Sequence, residues 1–407
     1  MLDFLNNISL DGDDIPALFG LRQKGKDAFL GFPDKKDEPF KYTPVSSYIS
    51  EEMFLPSSNC CDEAHCHCHD AFLSFQTYEY HFCNGALHEH FSPVDGVEIS
   101  SLLDAFLDHS LTAYLNKFDL SKFPFAALNT AYLEQGVFMR FSKTLDKPVA
   151  LIYHNHDSGF KNLHNIVVIE KNAQIDLIEY YHGEHNPYFI NIVNEIYVSK
   201  NALMKHYLFQ DESENAVHIG LSNVQIKSGG TYQSYAFHKG GKLTRNETHI
   251  LLKEENASAL VNAAYNLKDK TFVDTTTDIE HLSKSTKSNQ IIRGVLNDNT
   301  HGVFQGKIHI DPNAVQTEGY QIHKALLLSD EARIDVKPEL EIFADDVKCS
   351  HGATSGDLNK DELFYLQSRG ISEIEARKIL VKAFLTEVSS DISNPDVSEL
   401  CDHFFFD

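Results

Sequence analysis

The sequence contains no tryptophan, only four methionines, and far fewer basic than acidic side chains. Its 407 residues include 35 Lys and Arg against 59 Asp and Glu, a formal net charge of −24. Because a phosphate backbone requires a positive surface, this balance argues against nucleic-acid binding, and against docking on an anionic membrane. No apolar run approaches the roughly 20 residues of a membrane-spanning helix, so we expect no membrane association.

A regular, even-numbered set of cysteines is also missing. Five of the seven cysteines lie between Cys60 and Cys83, which does not resemble a disulfide framework. The first four residues lack the basic and apolar regions of a secretory signal. We therefore expect a cytoplasmic protein with reduced thiols.

The apolar content of 42% is ample for a large core. Changes in the pattern of apolar and turn residues divide the chain into three parts. Residues 1–125 indicate a helical or irregular segment, residues 126–347 a strand-rich core, and residues 348–407 a helical domain. In the core, Ile190, Ile192, Ile196 and Val198 all fall on even positions, which places them on one face of a strand.

A turn of the type apolar-x-x-small-Ala separates the strand patterns and recurs at regular intervals. Copies end at Ala173, Ala202, Gly230 and Ala257, with spacings of 29, 28 and 27 residues. Another copy ends at Ala314, 57 residues further on, which is close to two intervals with one copy unrecognised. This period predicts a strand solenoid, a parallel β-helix. The alternative is a β-sandwich with coincidental turns.

Helix signals return after Val347, where we expect the strands to end. Asn359 is a candidate N-cap, and Ser372 with Glu375 forms a capping box for a second helix. The face of that second helix is predicted to comprise Ile374, Ile379, Leu380, Ala383 and Phe384. We expect the last stretch, residues 395–407, to be loosely attached.

The most distinctive text is LEIFADDVKCSHGATSG at 340–356, followed by LFYLQSRGI at 363–371. It resembles the C-terminal signature of the SufD branch of the SufB/SufD family of iron–sulfur cluster assembly scaffolds. Residues 245–247 and 302–306 match the middle of the family's sequence. Residues 38–43 are similar to its E-x-W-K-Y-T motif, with phenylalanine in the tryptophan's place.

This resemblance implies a mainly β fold, a right-handed parallel β-helix with α-helical N- and C-terminal segments. It implies pairing with SufB through the late turns, and binding of the ATPase SufC on the C-terminal helices. A transient iron–sulfur cluster would form at the interface with SufB, and the chain itself would not be an enzyme. The resemblance also admits reduced flavin in the complex and a homodimer in isolation.

Three residues are candidates for holding the cluster. His351 matches the family's candidate ligand at the interface with SufB, although a histidine could also simply cap the last strand. Cys349 lies two residues away, hence on the same face if the strand persists; it could equally be a small buried apolar residue. His323 aligns with a column where SufB has a functional cysteine, and is a departure from the SufD pattern. Gly352, where SufB usually has glutamate, favours SufD.

The helical pair after residue 359 is the surface that contacts SufC in the family. The contact candidates are Tyr365, Leu366, Arg369, Ile379 and Phe384. The alternative is that the apolar members only pack the two helices together, since one amphipathic face cannot serve both purposes.

A dense cluster of thiols and imidazoles precedes all of these motifs. It comprises Cys60, Cys61, His65, Cys66, His67, Cys68 and His69. The composition suits zinc, copper or iron, but the spacing is not that of a structural zinc site. We expect adventitious metal binding only.

Two other functions compete with the scaffold reading. The first is a SufB-like homodimer that holds the cluster itself through His323, Cys349 and His351. The second is a carbohydrate-active β-helix enzyme, because Asp274, Asp278 and Glu280 alternate on one strand face and could act as acid and base. The chain has no phosphate-binding G-x-x-x-x-G-K-[ST] string.

Overall fold

The computed structural model describes Leu5, Leu10 and residues 15–54, 72–88 and 93–406. The helices in this part of the chain are α1 (Pro16–Ala28), α2 (Leu102–Leu107), α3 (Pro124–Ala131), α4 (Lys360–Ser368), α5 (Glu373–Leu385) and α6 (Pro395–Phe404). The strands are β1 (Tyr78–Cys83), β2 (Ala86–Leu87), β3 (Val97–Ser101), β4 (Val137–Phe141), β5 (Val149–Asn155), β6 (Gly159–Ile169), β7 (Gln174–Gly183), β8 (Tyr188–Val198), β9 (Leu203–Asp211), β10 (Val217–Ile226), β11 (Thr231–His238), β12 (Leu243–Leu252), β13 (Ser258–Leu267), β14 (Phe272–His281), β15 (Lys287–Leu296), β16 (His301–Ile310), β17 (Thr317–Leu327), β18 (Arg333–Ile342) and β19 (Val347–Gly356).

The strands stack into two sheets that consecutive strands enter alternately. Sheet A has the order β19-β17-β15-β13-β11-β9-β7-β5-β1-β2, and sheet B has the order β18-β16-β14-β12-β10-β8-β6-β4-β3. All pairings are parallel from β4 and β5 onward, and only the first pairs are antiparallel. The chain therefore climbs one turn for every two strands, in a solenoid of about eight turns with helices at both ends. The predicted β-helix is confirmed.

A column of left-handed residues fixes the turns from sheet B to sheet A. Asn172, Asn201, Gly229 and Asn256 have φ between 55° and 65°, and each donates its backbone N–H to a carbonyl of the following turn. Asparagine and glycine tolerate this conformation at low cost. The unrecognised copy of the repeat is centred on Ser285, with φ of 57°.

Inward-facing residues of both sheets fill the solenoid. The even-numbered residues predicted on one face of β8, from Ile190 to Val198, are all buried in this core. Near the first turns, the rings of Phe82, Tyr153 and Tyr181 stack with centroid distances of 4.6 and 4.5 Å. Stacking of like residues in successive turns follows from the parallel register.

The strand region is longer than the sequence predicts at both ends. The N-terminal segment contributes β1, β2 and β3 to the sheets, and β19 continues to Gly356 rather than ending near Val347. The expectation of a loose end after residue 395 is wrong. Val397, Cys401 and Phe404 of α6 are buried, and Phe404 packs against Phe209 of sheet A with centroids 5.3 Å apart.

The 38–43 motif holds the N-terminal segment on the outer face of sheet B. The Arg245 guanidinium lies 4.4 Å from the centre of the Phe40 ring and pairs with the Asp274 carboxylate. The Thr43 hydroxyl donates to the same carboxylate. Both sequence motifs therefore meet in one buried contact, which positions the groove described below. None of the described helices has the length and apolarity to cross a bilayer.

Candidate functional site at the open end of the solenoid

Cys349 and His351 lie on one face of β19, as expected if the strand persists. β19 pairs with β17 in parallel register, with Cys349 opposite Gly319 and His351 opposite Gln321. The odd-numbered residues of β17 from Thr317 to Ala325 are buried inside the solenoid, so their partners on β19 face the same way. No later turn covers them, and His351 is exposed at the open end.

His351 ends a row of inward-facing residues that runs along sheet A. Gln321 and Gln290 precede it in register, and both are buried. Gln290 donates to the Gln321 side chain at 3.3 Å, and Gln321 donates to the Gly306 carbonyl at 3.2 Å. Sequence reasoning missed these glutamines. They precede His351 by intervals of 30 and 31 residues, longer than the 27 to 29 residues of the recognised repeat, so counting back by that repeat does not reach them.

Cys349 is half-buried against the last apolar cluster of the core, which includes Ile308, Ile310 and Ala344. This burial raises the pKa of the thiol, while a backbone hydrogen bond involving Gly319 opposes the shift. Because the thiolate is the form that binds metal, Cys349 is a poor ligand until a cation or partner charge arrives. The position of Cys349 is therefore compatible with both interpretations made from the sequence, a cluster ligand and a small residue packed against the apolar core.

His323 lies deeper than the other two candidates. It pairs in register with Ala353, two residues beyond His351, and its side chain is fully buried. Its Nε2 lies 2.9 Å from the Tyr265 hydroxyl, and its ring stacks on Phe304 at 5.1 Å. Burial, with a smaller contribution from the Arg293 charge, lowers the pKa of His323 to about 3. The structure does not bring its ring to the open end with His351.

The end of the solenoid presents two strand edges. Within the described chain β18 pairs only with β16, and β19 only with β17. Beside them, Ile342 and Phe343 are exposed to 42% and 60%. Unpaired edges with adjacent apolar side chains are templates for pairing with another chain.

The C-terminal helices form as predicted. The Asn359 side chain accepts from the backbone of Asp361 and Glu362, and the Ser372 hydroxyl accepts from the Glu375 N–H at 3.3 Å. The predicted inner face of α5 is partly wrong. Its packed residues are Ala376, Leu380, Val381, Phe384 and Leu385, whereas Ile374, Ile379 and Ala383 are exposed.

The five contact candidates on these helices differ in accessibility. Tyr365 is 56% exposed with the Arg369 guanidinium 5.2 Å above its ring, and Ile379 is 39% exposed. Leu366 is half-buried, and Phe384 packs towards sheet A beneath Arg293. Two further apolar residues of these helices are exposed and were not among the predicted contact candidates. They are Phe364, which is 71% exposed, and Ile374, which is 72% exposed.

The candidate acid–base carboxylates do not form an equivalent set. Asp274 is buried in its pair with Arg245. Asp278 and Glu280 instead lie near His249 on the outer face of sheet B. The cysteine and histidine cluster from Cys60 to His69 lies outside the described residues.

Comparison with known proteins gives a consistent assignment. A family model described as the SUF system FeS cluster assembly SufBD core domain matches residues 152–384. A SufBD family iron–sulfur cluster assembly protein of Synechocystis is 29% identical over 94% of this chain and 89% of its own length. The SufD iron–sulfur cluster assembly protein of Escherichia coli is 26% identical over 91% and 87%, respectively. The chloroplastic protein ABCI7 of Arabidopsis thaliana is 27% identical over 90% and 81%. The chain therefore belongs to the SufBD family of the SUF iron–sulfur cluster assembly system.

Proposed function

We propose that this chain is a SufD-type scaffold subunit, without catalysis of its own, that pairs with SufB through the open end of its solenoid. Its family supports a role in SUF cluster assembly. The observation that carries the finer proposal is the pair of free strand edges at β18 and β19, with Cys349 and His351 facing the same open end. Addition of a partner's strands at these edges would cover both side chains.

His351 would then be a ligand to the nascent cluster, which is the cargo of the assembly. Iron–sulfur clusters accept imidazole in place of thiolate. A mixed ligand set of this kind suits a cluster that must be passed on rather than kept. Cys349 becomes a second ligand only where iron or a partner's positive charge offsets the burial that raises its pKa.

The exposed apolar residues of α4 and α5 support binding of SufC there. Phe364, Tyr365, Ile374 and Ile379 remain accessible although the inner face of α5 is fully occupied by sheet A. Several large apolar side chains left exposed on two neighbouring helices favour a protein contact there. Arg369, which stacks on Tyr365, would order one side of this contact.

The alternatives receive less support from the geometry. A homodimer that holds the cluster through His323 requires that ring to leave Tyr265 and Phe304. A carbohydrate-active enzyme could not use Asp274 as an acid or base, because this carboxylate is buried in its ion pair with Arg245. The cytoplasmic location, the reduced flavin and the adventitious metal at Cys60–His69 stay predictions.

The test is cluster reconstitution with SufB and SufC of the same organism, with the chain as parent or as His351→Ala. We expect the cluster yield to fall about tenfold or more, while SufB still co-purifies because the backbone edges are unchanged. His309→Ala, on the outer face of sheet B, is the matched control and should keep the parent yield. An unchanged yield for His351→Ala would remove this residue from the proposal.

A further inference from the structure

A groove of about 380 Å³ lies on the outer face of sheet B, beneath the N-terminal segment. Its walls contain six carboxylates and three lysines. These are Glu38, Glu247, Asp278, Glu280, Glu339 and Glu341, with Lys122, Lys307 and Lys337. The excess of negative charge favours a cation in this groove.

Three groups on adjacent strands converge at its base. His249 of β12 pairs in register with Asp278 of β14, and Glu280 follows two residues later on the same face. One ligand atom from each lies within 4.8 Å of the other two. We infer that His249, Asp278 and Glu280 form a binding site for a divalent transition metal ion, of the class of Zn²⁺ or Fe²⁺.

The existing distances suit such an ion. His249 Nε2 lies 3.0 Å from Glu280 Oε1. Two ligands of a tetrahedral ion with bonds of about 2.1 Å are separated by about 3.4 Å, so the two atoms need to move apart by only about 0.4 Å to bind one. The third ligand atom, an oxygen of Asp278, lies within 4.8 Å of both. One imidazole and two carboxylates suit zinc and iron, and leave positions open to the groove.

Among the described residues, none forms a hydrogen bond with Asp278 Oδ1. This oxygen is buried, and burial raises the pKa of the carboxyl group. The neighbouring Lys307 ammonium is bonded to Glu341 at 2.9 Å. A divalent ion would bind the oxygen of this half-buried carboxylate that has no hydrogen bond.

Asn223 is placed to orient the imidazole. It precedes His249 in register on β10, and its amide nitrogen lies 2.9 Å from His249 Nδ1, while its own Oδ1 is buried without a partner. Rotation of the amide by half a turn puts Oδ1 against Nδ1–H. That tautomer frees Nε2 for a metal, which is the usual arrangement around ligating histidines.

The experiment is zinc titration calorimetry on the metal-free full chain. The parent carries Ser in place of Cys60, Cys61, Cys66 and Cys68, so that thiols of that cluster do not obscure the result. We expect a binding equivalent whose affinity falls more than about 100-fold in Asp278→Asn and in His249→Gln, and about 10- to 100-fold in Asn223→Ala.

The matched control is His301→Gln, because His301 also bonds a carboxylate, Asp335, on the same sheet face but lies at the far end of β16 from the site. It should bind zinc as the parent does. Lys307→Gln should bind more tightly, since a neighbouring positive charge is removed. Unchanged affinity in Asp278→Asn, with all variants showing the parent's circular dichroism, would overturn the site. The result does not depend on the SufB proposal, which concerns β18 and β19.

Discussion

His323 shows how one buried side chain affects stability. Its pKa is lowered to about 3 by burial, from an ordinary value of 6.5, so the folded protein keeps this imidazole neutral in mild acid. The unfolded chain binds a proton there below pH 6.5. The stability that this neutral imidazole contributes is therefore complete above pH 6.5 and is lost as the pH falls towards 3.

We expect His323→Gln to flatten this pH dependence. Between pH 6.5 and pH 5.0 the parent should lose about 2 kcal/mol of unfolding free energy through this residue, since each pH unit corresponds to about 1.4 kcal/mol. Glutamine keeps a polar partner near Tyr265. Urea unfolding at the two pH values measures the difference. His351→Gln, at an exposed position, is the control and should retain the parent's slope. If the unfolding free energy of His323→Gln changed with pH as steeply as that of the parent, the conclusion that the buried His323 imidazole is neutral would be contradicted.

For single residues, the sequence predicts the strand face on which a side chain lies better than it predicts the burial of that side chain. The two-residue spacing of Cys349 and His351 was enough to place them on one face. The burial of His323 depends on Tyr265 and Phe304, which lie 58 and 19 positions away along the chain and meet it only through the register of the turns. A local sequence pattern cannot predict contacts between residues so far apart along the chain.

At the element scale, an ion pair adds to the apolar contacts that hold the C-terminal helices on sheet A. The buried Arg293 guanidinium donates to both Glu387 oxygens, at 2.8 and 2.7 Å, and Glu387 follows directly after α5. Arg293 is almost fully buried, whereas the Glu387 side chain is 49% exposed. Loss of the carboxylate therefore leaves an unpaired charge inside, and loss of the guanidinium does not.

This asymmetry predicts unequal costs. Glu387→Ala should lower the unfolding free energy by about 2 kcal/mol, below the usual cost of breaking a buried pair because Glu387 is half exposed. Arg293→Met should cost about 1 kcal/mol or less, since an apolar side chain replaces a buried ion. Thermal or urea unfolding of both variants measures the order. A larger loss for Arg293→Met would contradict the argument.

The helical pair gives a second prediction at this scale. Phe364→Ser with Ile379→Asp should abolish co-purification of SufC and leave the melting temperature within about 2 °C of the parent, because both side chains are exposed. Phe384→Ser, which removes an inward-packed ring, should instead lower the melting temperature. Retention of SufC by the double variant would place the contact elsewhere.

The sequence predicts these helices but not their attachment. The caps at Asn359 and Ser372 are local signals, and the structure confirms both. The docking of α6 depends on Phe404 meeting the outer face of sheet A, whose Phe209 and Phe237 read locally as ordinary strand residues. Similarly, Ile374 belongs to the apolar pattern of α5, and only the packing of its neighbours shows that it is exposed.

At the scale of the whole molecule, the repeat was readable because asparagine and glycine mark its turns. Four successive copies use Asn172, Asn201, Gly229 and Asn256 at the left-handed position. The copy at Ser285 was missed because serine rarely marks this conformation. The next turn is longer, and its left-handed residue is Gln316, beyond the recognised Ala314. The sequence therefore predicts a solenoid, but it does not predict where each turn begins and ends.

The geometry of the solenoid also explains why we propose its final turn as the partner-binding end. Every earlier strand has neighbours on both sides, except at the start of each sheet, whereas β18 and β19 each have one. His351, the last residue of the inward-facing row, is exposed for the same reason. The proposed edge pairing and the proposed ligand role of His351 therefore rest on the same structural feature.

Amide hydrogen exchange of the full chain, with and without SufB of the same organism, tests this central claim most directly. We predict that SufB slows exchange selectively in Arg333–Ile342 and Val347–Gly356, the two edge strands. Residues on the outer face of α4 and α5 should exchange as before until SufC is added. Protection by SufB elsewhere, with β18 and β19 unchanged, would contradict the account.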